Sequence, residues 1–281
     1  MIGPMMSLMP AAPTPERPRN PAVVIPARLA SSRLPRKALL PLAGQPMVVH
    51  VARAALKAAL GPVILAVDGG EMAQALSTPL AELEREGMGA VQLVLTDPAL
   101  PSGSDRVAAA LALVDPEKRH DVVVNVQGDL PLVRPEHIQA GLEALLVGGQ
   151  AMDIGTLAAP IHHQAEAEAP SVVKVACALG PGRNSARALY FSRAVVPGGH
   201  GPLWHHVGLY AWRRPALERF VALPPSTLEK RESLEQLRAL EAGMTVGCAA
   251  IDEAPWGVDT PDDLVRARLL LEGAGEEEGV L

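Results

Sequence analysis

Val23-Val24-Ile25-Pro26-Ala27-Arg28-Leu29-Ala30-Ser31-Ser32-Arg33-Leu34-Pro35-Arg36-Lys37 reads as a short buried strand that runs into a loop carrying four cations. A β-branched run giving way to Pro, Ser and basic residues presents a polyanion site at the carboxyl end of a sheet's first strand. Arg28, Arg33 and Lys37 are spaced to converge on one ligand. The chain as a whole has formal net charge −6, so local positive charge points to an anion such as a triphosphate. Taken alone, the segment also reads as a solvated basic loop.

Similar apolar runs follow: Val63–Val67, Val91–Leu95 and Val122–Val126, with helical patterns at Met47–Ala59, Glu71–Ser77 and Ser104–Val114 between them. Strand and helix alternating, with near-continuous apolar strands, predicts an α/β fold: a mostly parallel twisted sheet with helices on both faces. Right-handed crossovers place the loops after these strands on one edge, where ligands bind in open sheets. The second half is less regular. Met152–Leu157, Val172–Ala176 and Val207–Trp212 read as strands, Ser226–Glu241 and Pro261–Leu271 as helices. The last has Thr260 as N-cap, Pro261 in the first turn, and Asp262 and Asp263 at the positive helix end. We expect a disordered tail over residues 1–20, a single domain with an inserted lobe over 21–272, and a frayed acidic end over 273–281.

At 281 residues the chain has ample material for a core, but aromatics are only 2%, so that core is built from Ala, Val and Leu. Few aromatics and a net negative charge argue against nucleic-acid partners. No apolar run approaches a membrane span. The two cysteines, Cys177 and Cys248, form no CxxC or Cys/His cluster, which fits a cytoplasmic setting.

Neither GxxxxGK[ST] nor a GxGxxG after the first strand occurs, so phosphates must be held by side chains and by the Ala27–Ser32 amides. In Val124-Asn125-Val126-Gln127-Gly128-Asp129 a strand ends by presenting a carboxylate at the ligand edge, and Gly128 permits close backbone approach. Gly257-Val258-Asp259-Thr260 repeats the arrangement before the capped helix. Two loop carboxylates suit Mg²⁺, which takes oxygen ligands and bridges to phosphates. Each Asp is also explicable as a turn or cap residue. Ser102-Gly103-Ser104-Asp105-Arg106 reads either as nucleoside contact or as N-capping by Ser102 or Ser104. His206 precedes a strand and could face a ligand or solvent, and the pairs His162-His163 and His205-His206 lack helical metal spacing.

Together these segments resemble the 3-deoxy-manno-octulosonate (Kdo) cytidylyltransferases, or CMP-Kdo synthetases. The resemblance extends through Thr156–Ile161, Val173-Lys174-Val175, Ala188–Arg193, His206–Tyr210, Ser233–Arg238 and Gly257–Pro261, in family order from about residue 22 to 268. It implies a nucleotide-diphospho-sugar transferase type of fold, a homodimer with a dimerisation lobe in the second half, and CMP transfer from CTP to Kdo for lipopolysaccharide biosynthesis. It implies that Ala27, Arg28, Arg33 and Lys37 hold the triphosphate and that Ser102, Gly103 and Arg106 read the nucleoside. Asp129 and Asp259 ligate Mg²⁺, with Arg28 and Lys37 beside them in catalysis. Gln127, Arg193, His206, Glu235 and Gln236 fall to the sugar acid. The chain departs from the family pattern at Leu130 (usually acidic), Leu100 (usually His), Ser104 (Thr), Ser171 (Asn) and Val67 (Thr or Ser). Leu130, Leu100 and Ser171 leave two alternatives: the same chemistry on a related sugar acid of amino-Kdo or sialic type, or an inactive nucleotide-binding homologue.

Overall fold

Strand β1 (Pro21–Ala27) buries every residue from Ala22 to Ala27, as the apolar run requires of a strand covered on both faces. In this computed structural model, which describes residues 18–31 and 33–278, β1 leads through a 3₁₀ turn (Lys37–Leu39) and the hairpin β2 (Pro41–Leu42) and β3 (Gln45–Pro46) to α1 (Met47–Ala58). There follow β4 (Val63–Val67), α2 (Gly70–Arg85), β5 (Val91–Leu95), α3 (Gly103–Val114), β6 (Val122–Asn125), α4 (Pro135–Glu143), the hairpin β7 (Leu146–Val147) and β8 (Gln150–Ala151), and β9 (Ile154–Pro160). The chain continues with α5 (Gln164–Glu168), β10 (Lys174–Cys177), β11 (Ser185–Ser192), β12 (Trp204–Arg213), α6 (Arg214–Val221), α7 (Thr227–Glu232), α8 (Gln236–Glu241), β13 (Val246–Ala250) and α9 (Pro261–Glu278).

One nine-stranded sheet runs β10-β11-β13-β9-β12-β6-β1-β4-β5. The half built from β6, β1, β4 and β5 is parallel throughout. The other half is mixed: β12 runs antiparallel to both β6 and β9, and β11 antiparallel to β13 and β10. The expectation of a mostly parallel sheet therefore holds for the first half and is corrected for the second. The chain between β9 and β12 adds β10 and β11 to this same sheet, and a Lys174–His205 pairing joins β10 back to β12, so the far half curls on itself.

Alternation along β1 assigns the two cores. Val23 and Ile25 pack with Ala52 of α1, Met72 of α2 and Ile138 of α4. Ala22 and Val24 pack with Val107 and Leu111 of α3, Phe220 of α6 and Leu237 of α8. Strand β13 escaped the sequence reading because Ala and Gly dominate it, and β11 because it opens on Ser185-Ala186-Arg187-Ala188 and has its β-favouring residues only at Tyr190 and Phe191; pairing makes both of them strands. Helix α4 begins at Pro135 and α6 carries Pro215 in its first turn, a starting signal that the reading also passed over. The expected helix Ser226–Glu241 is two helices, broken at Ser233 with φ 55°. Glu232 is pinned by Ser192 Oγ at 2.9 Å and the Arg193 amide at 3.0 Å, and the chain must turn to bring α8 inward. The expected tail lies outside the described residues up to residue 17, whereas Arg19 and Asn20 donate their amides to Asp121, both at 2.9 Å. At the other end the helical backbone runs to Glu278, and residues 279–281 of the expected frayed end lie outside the described residues.

An aromatic chain crosses the mixed half. Phe191 meets His206 edge-on at 4.7 Å, and Tyr210, Trp212 and Phe220 continue the series at 5.7, 5.9 and 4.8 Å. His206 is buried, and burial followed by the neighbouring His205 pushes its imidazole down to about 3. An unfolded His protonates near pH 6.5. Below that pH the unfolded chain binds a proton that the folded chain refuses, so stability falls with falling pH, by up to about 1.4 kcal/mol per unit. In His206→Asn the melting temperature should fall less steeply between about pH 6.5 and 4 than in the parent; an equal slope would contradict this assignment. A second check concerns Gly247, where an added Cβ would run into the Ala144 carbonyl and lie 2.9 Å from Met152 Cγ. Gly247→Ala should cost about 1–3 kcal/mol of unfolding free energy, whereas Gly198→Ala, with nothing within 4 Å, should stay within about 0.5 kcal/mol of the parent.

Candidate active site

Because β1, β4, β5 and β6 point the same way, the loops after them share one edge of the sheet. The loops after β1, β5 and β6, with the segment that follows β13, enclose a cleft of about 300 Å³. Ala27, Arg28, Arg33, Lys37, Ser102, Gly103, Arg106, Gln127, Asp129 and Asp259 all line it. The first loop is held from behind: Asp68, the residue after β4, accepts the Leu29 amide at 2.9 Å. Arg36 takes a left-handed turn (φ 57°) immediately before Lys37. Ser32 lies outside the described residues.

The centre of the cleft is a charge cluster. Lys37 Nζ donates to Asp129 Oδ2 at 2.6 Å and to Asp259 Oδ1 at 3.0 Å, and Arg33 reaches the same Asp259 oxygen at 3.2 Å. Burial disfavours the Lys37 ammonium, but the charge and hydrogen bonds of Asp129, then of Asp259, outweigh it and hold the pKa above the ordinary lysine value. The two carboxylates are brought together by the chain itself, since the Val258 amide donates to the Asp129 carbonyl at 3.0 Å. Leu34 and Val258 share a small apolar cluster with Leu42, Met47 and Ala267 of α9, which seats the cation loop against the Asp259 loop. Thr260 and Asp263 cap α9 reciprocally, at 2.9 and 3.2 Å, as the sequence suggested. Gly128 suits this close approach: an added Cβ would lie 3.0 Å from the Pro26 carbonyl oxygen, a tight contact.

Two carboxylates converging on one cation form an oxygen donor set. Among the described residues no group of three or more His, Cys, Asp or Glu could hold a metal ion. An open two-carboxylate set fits Mg²⁺, which keeps waters and takes substrate phosphates, and does not fit a closed zinc site.

At the far wall Ser102 caps α3, accepting the Asp105 amide at 3.2 Å, so both the capping and the cleft-lining readings hold for it. The amino end of α3 thus faces the cleft, a favourable position for an anion. Arg106 is buried, tethered by the Thr96 hydroxyl and, at 3.3 Å, by the Asp97 carbonyl. Burial, with the like charge of Arg28 and against that of Asp68, lowers its pKa.

The four other predicted residues lie outside the cleft lining. Glu235, turned inward by the break before α8, accepts from Ser104 at 3.0 Å and so abuts the amino end of α3. Burial raises its carboxyl pKa against the opposing pull of Ser102, Ser104 and Arg238, and one of its oxygens is buried without a hydrogen bond. Gln236 and His206 are buried; His206 Nε2 lies 3.0 Å from the Thr156 hydroxyl, which donates to the Leu209 carbonyl at 2.9 Å. Arg193 spends its guanidinium on three carbonyls, of Glu232 (2.8 Å), Pro170 (2.9 Å) and Ser233 (3.3 Å). Fully buried Lys174 does likewise with Ala169, Val172 and Arg193, giving Val173-Lys174-Val175 a scaffold role. The sequence reading passed over Asp68, whose second oxygen is buried without a partner; a carboxylate directly after the second parallel strand was the available signal. Tyr210 was also missed: its phenol is buried near Glu235, and burial followed by that charge raises its pKa.

A family model described as cytidylyltransferase matches residues 22–246. The 3-deoxy-manno-octulosonate cytidylyltransferase of Methylobacterium radiotolerans is 56% identical over 255 residues, covering 90% of this chain and 98% of its own. That of Rhodospirillum centenum is 53% identical, covering 91% and 95%. Among solved structures, CMP:2-keto-3-deoxy-manno-octonic acid synthetase complexed with CTP superposes with a TM-score of 0.78 at 35% identity, over 91% of this chain and 100% of that one. With that match, those identities and a cleft of this build, the chain belongs to the cytidylyltransferase family.

Proposed function

We propose that the protein transfers CMP from CTP to the anomeric hydroxyl of Kdo, releasing pyrophosphate. The observation that carries this is the Lys37–Asp129–Asp259 cluster in a cleft otherwise lined by Arg28, Arg33, Arg106 and the amino end of a helix. The relatives named above support Kdo over a related sugar acid and over an inactive homologue.

The sugar hydroxyl attacks the α-phosphorus in line. A new P–O bond forms as the bond to the bridging oxygen of the β-phosphate breaks; the hydroxyl proton passes to solvent, and the electron pair leaves with pyrophosphate. Arg28, Arg33 and Lys37 hold the departing phosphates and neutralise the charge that develops there. Ser102 and Gly103, at the amino end of α3, meet the nucleoside side, with Arg106 behind them. Asp129 and Asp259 would hold Mg²⁺, which when bound polarises the α-phosphate and lowers the pKa of the attacking hydroxyl. Gln127 lines the same cleft and is assigned to the sugar acid. Glu235, Gln236, His206 and Arg193 stay assigned to the sugar side; of these Glu235 stands nearest the cleft through Ser104, and Arg193 must release carbonyls to clamp a sugar carboxylate. Product supply to lipopolysaccharide assembly and a cytoplasmic setting complete the reading. No helix among the described residues is long and apolar enough to cross a membrane. A homodimer through the second half is supported by the exposed Leu189 of β11 and Val195 after it. Light scattering at twice the chain mass is expected; a fully active monomer would remove the dimer from the proposal.

Asp129→Ala should lower turnover by about a hundredfold or more, measured as pyrophosphate release; turnover equal to the parent's would remove Asp129 from the mechanism. In a panel of sugar acids, Kdo should be the preferred acceptor. Kdo ignored while another acid is consumed would replace it as substrate and point to Leu130, which packs against Gly257 beside Asp129.

A further inference from the structure

Lys37 and a divalent cation have claims on the same two oxygens. Lys37 Nζ lies between Asp129 Oδ2, at 2.6 Å, and Asp259 Oδ1, at 3.0 Å. The lysine side chain is only 15% exposed, against 37% for Asp129 and 50% for Asp259, so the ammonium is the inner member of the trio. With Arg33 on the same Asp259 oxygen, two positive charges already balance two negative ones. A divalent ion approaching this pair meets neutralised carboxylates and a like charge within a few ångströms.

The same lysine also lines the cleft with Arg28, Ser31 and Arg33. Its head is a compact point charge on a flexible four-carbon stem, so its Nζ can move several ångströms without the backbone following. A triphosphate in the cleft offers more negative charge than either carboxylate.

We propose, resting on the nucleotidyltransferase reading above, that Lys37 closes the metal site in the free protein and opens it by transferring its ammonium to the incoming triphosphate. In the first position Lys37 keeps two carboxylates from repelling each other across an empty cleft. In the second it stands on the phosphates, and Asp129 and Asp259 are released to a divalent cation. Nucleotide and cation then bind with positive coupling, each raising the affinity for the other by the same factor. The free protein is a poor metal binder by construction, and the site assembles only when there is a triphosphate to act on.

The test is Mn²⁺ binding to the free protein without nucleotide, followed by electron paramagnetic resonance or calorimetry, in the parent and in Lys37→Met. Removing a unit charge about 3–4 Å from the ion should tighten Mn²⁺ binding by about tenfold or more. A lysine with only a structural role would loosen the pair and weaken binding. Lys37→Gln provides the same comparison if the Met variant does not fold. The double variant Lys37→Met/Asp129→Asn should lose the gained affinity. Mn²⁺ bound no more tightly by the single variant, or as tightly by the double, overturns the proposal. CTP binding to the parent protein in excess EDTA, followed by calorimetry, separates this from the underlying reading. Absence of CTP binding would remove the nucleotide half, whereas CTP binding with an unchanged Mn²⁺ comparison would remove only the lysine transfer.

Discussion

The contact of one ammonium with two carboxylates joins three distant parts of the chain. Lys37 follows the first strand, Asp129 follows β6, and Asp259 precedes the last helix. Without a cation between them the two carboxylates repel, and without the carboxylates a half-buried lysine loses its compensation. Each of the three loops is therefore held in place by its partners in this contact.

The sheet makes the meeting possible. Parallel β1, β4, β5 and β6 deliver their following loops to one edge, and β13, parallel to β9, returns the chain to the same side. Two backbone details complete the approach: Gly128 lets the Asp129 loop lie against Pro26, and the Val258 amide ties the Asp259 loop to the Asp129 carbonyl. Along the opposite wall a helix amino end and a buried arginine add positive potential without crowding the cleft. The mixed half of the sheet is organised around carbonyl cages for Lys174 and Arg193 and around the aromatic series through His206, and it supports the cleft from behind.

What could be read in the residues was what local physics decides. The β-branched run of β1, the cations after it, the Thr260 cap and the Gly-Asp turn each act over a few residues, and each was legible. Long-range pairing was not. That Asp129 and Asp259 share one lysine depends on strand order and on a loop-to-loop hydrogen bond, and sequence spacing encodes neither. Strand β13, rich in Ala and Gly, carries little β signal of its own, and in β11 that signal is confined to Tyr190 and Phe191. The break at Ser233 was hidden in a segment whose composition reads as continuous helix, because Glu232 is held from outside that segment, by Ser192 at the end of β11 and Arg193 just after it. Arg193, assigned by resemblance to the sugar acid, here ties loops together through three carbonyls, contacts that no local pattern in the sequence encodes.

The claim on which the rest depends is that this cleft directs attack to the α-phosphorus. Phosphorus-31 nuclear magnetic resonance of a mixture of the protein, CTP, Kdo and Mg²⁺ identifies the bond that breaks. The account predicts growth of a sugar-linked CMP phosphodiester signal and of pyrophosphate in equal amounts, and only when Kdo is present. Release of inorganic phosphate with CDP, which would place cleavage at the γ-phosphate, would contradict it.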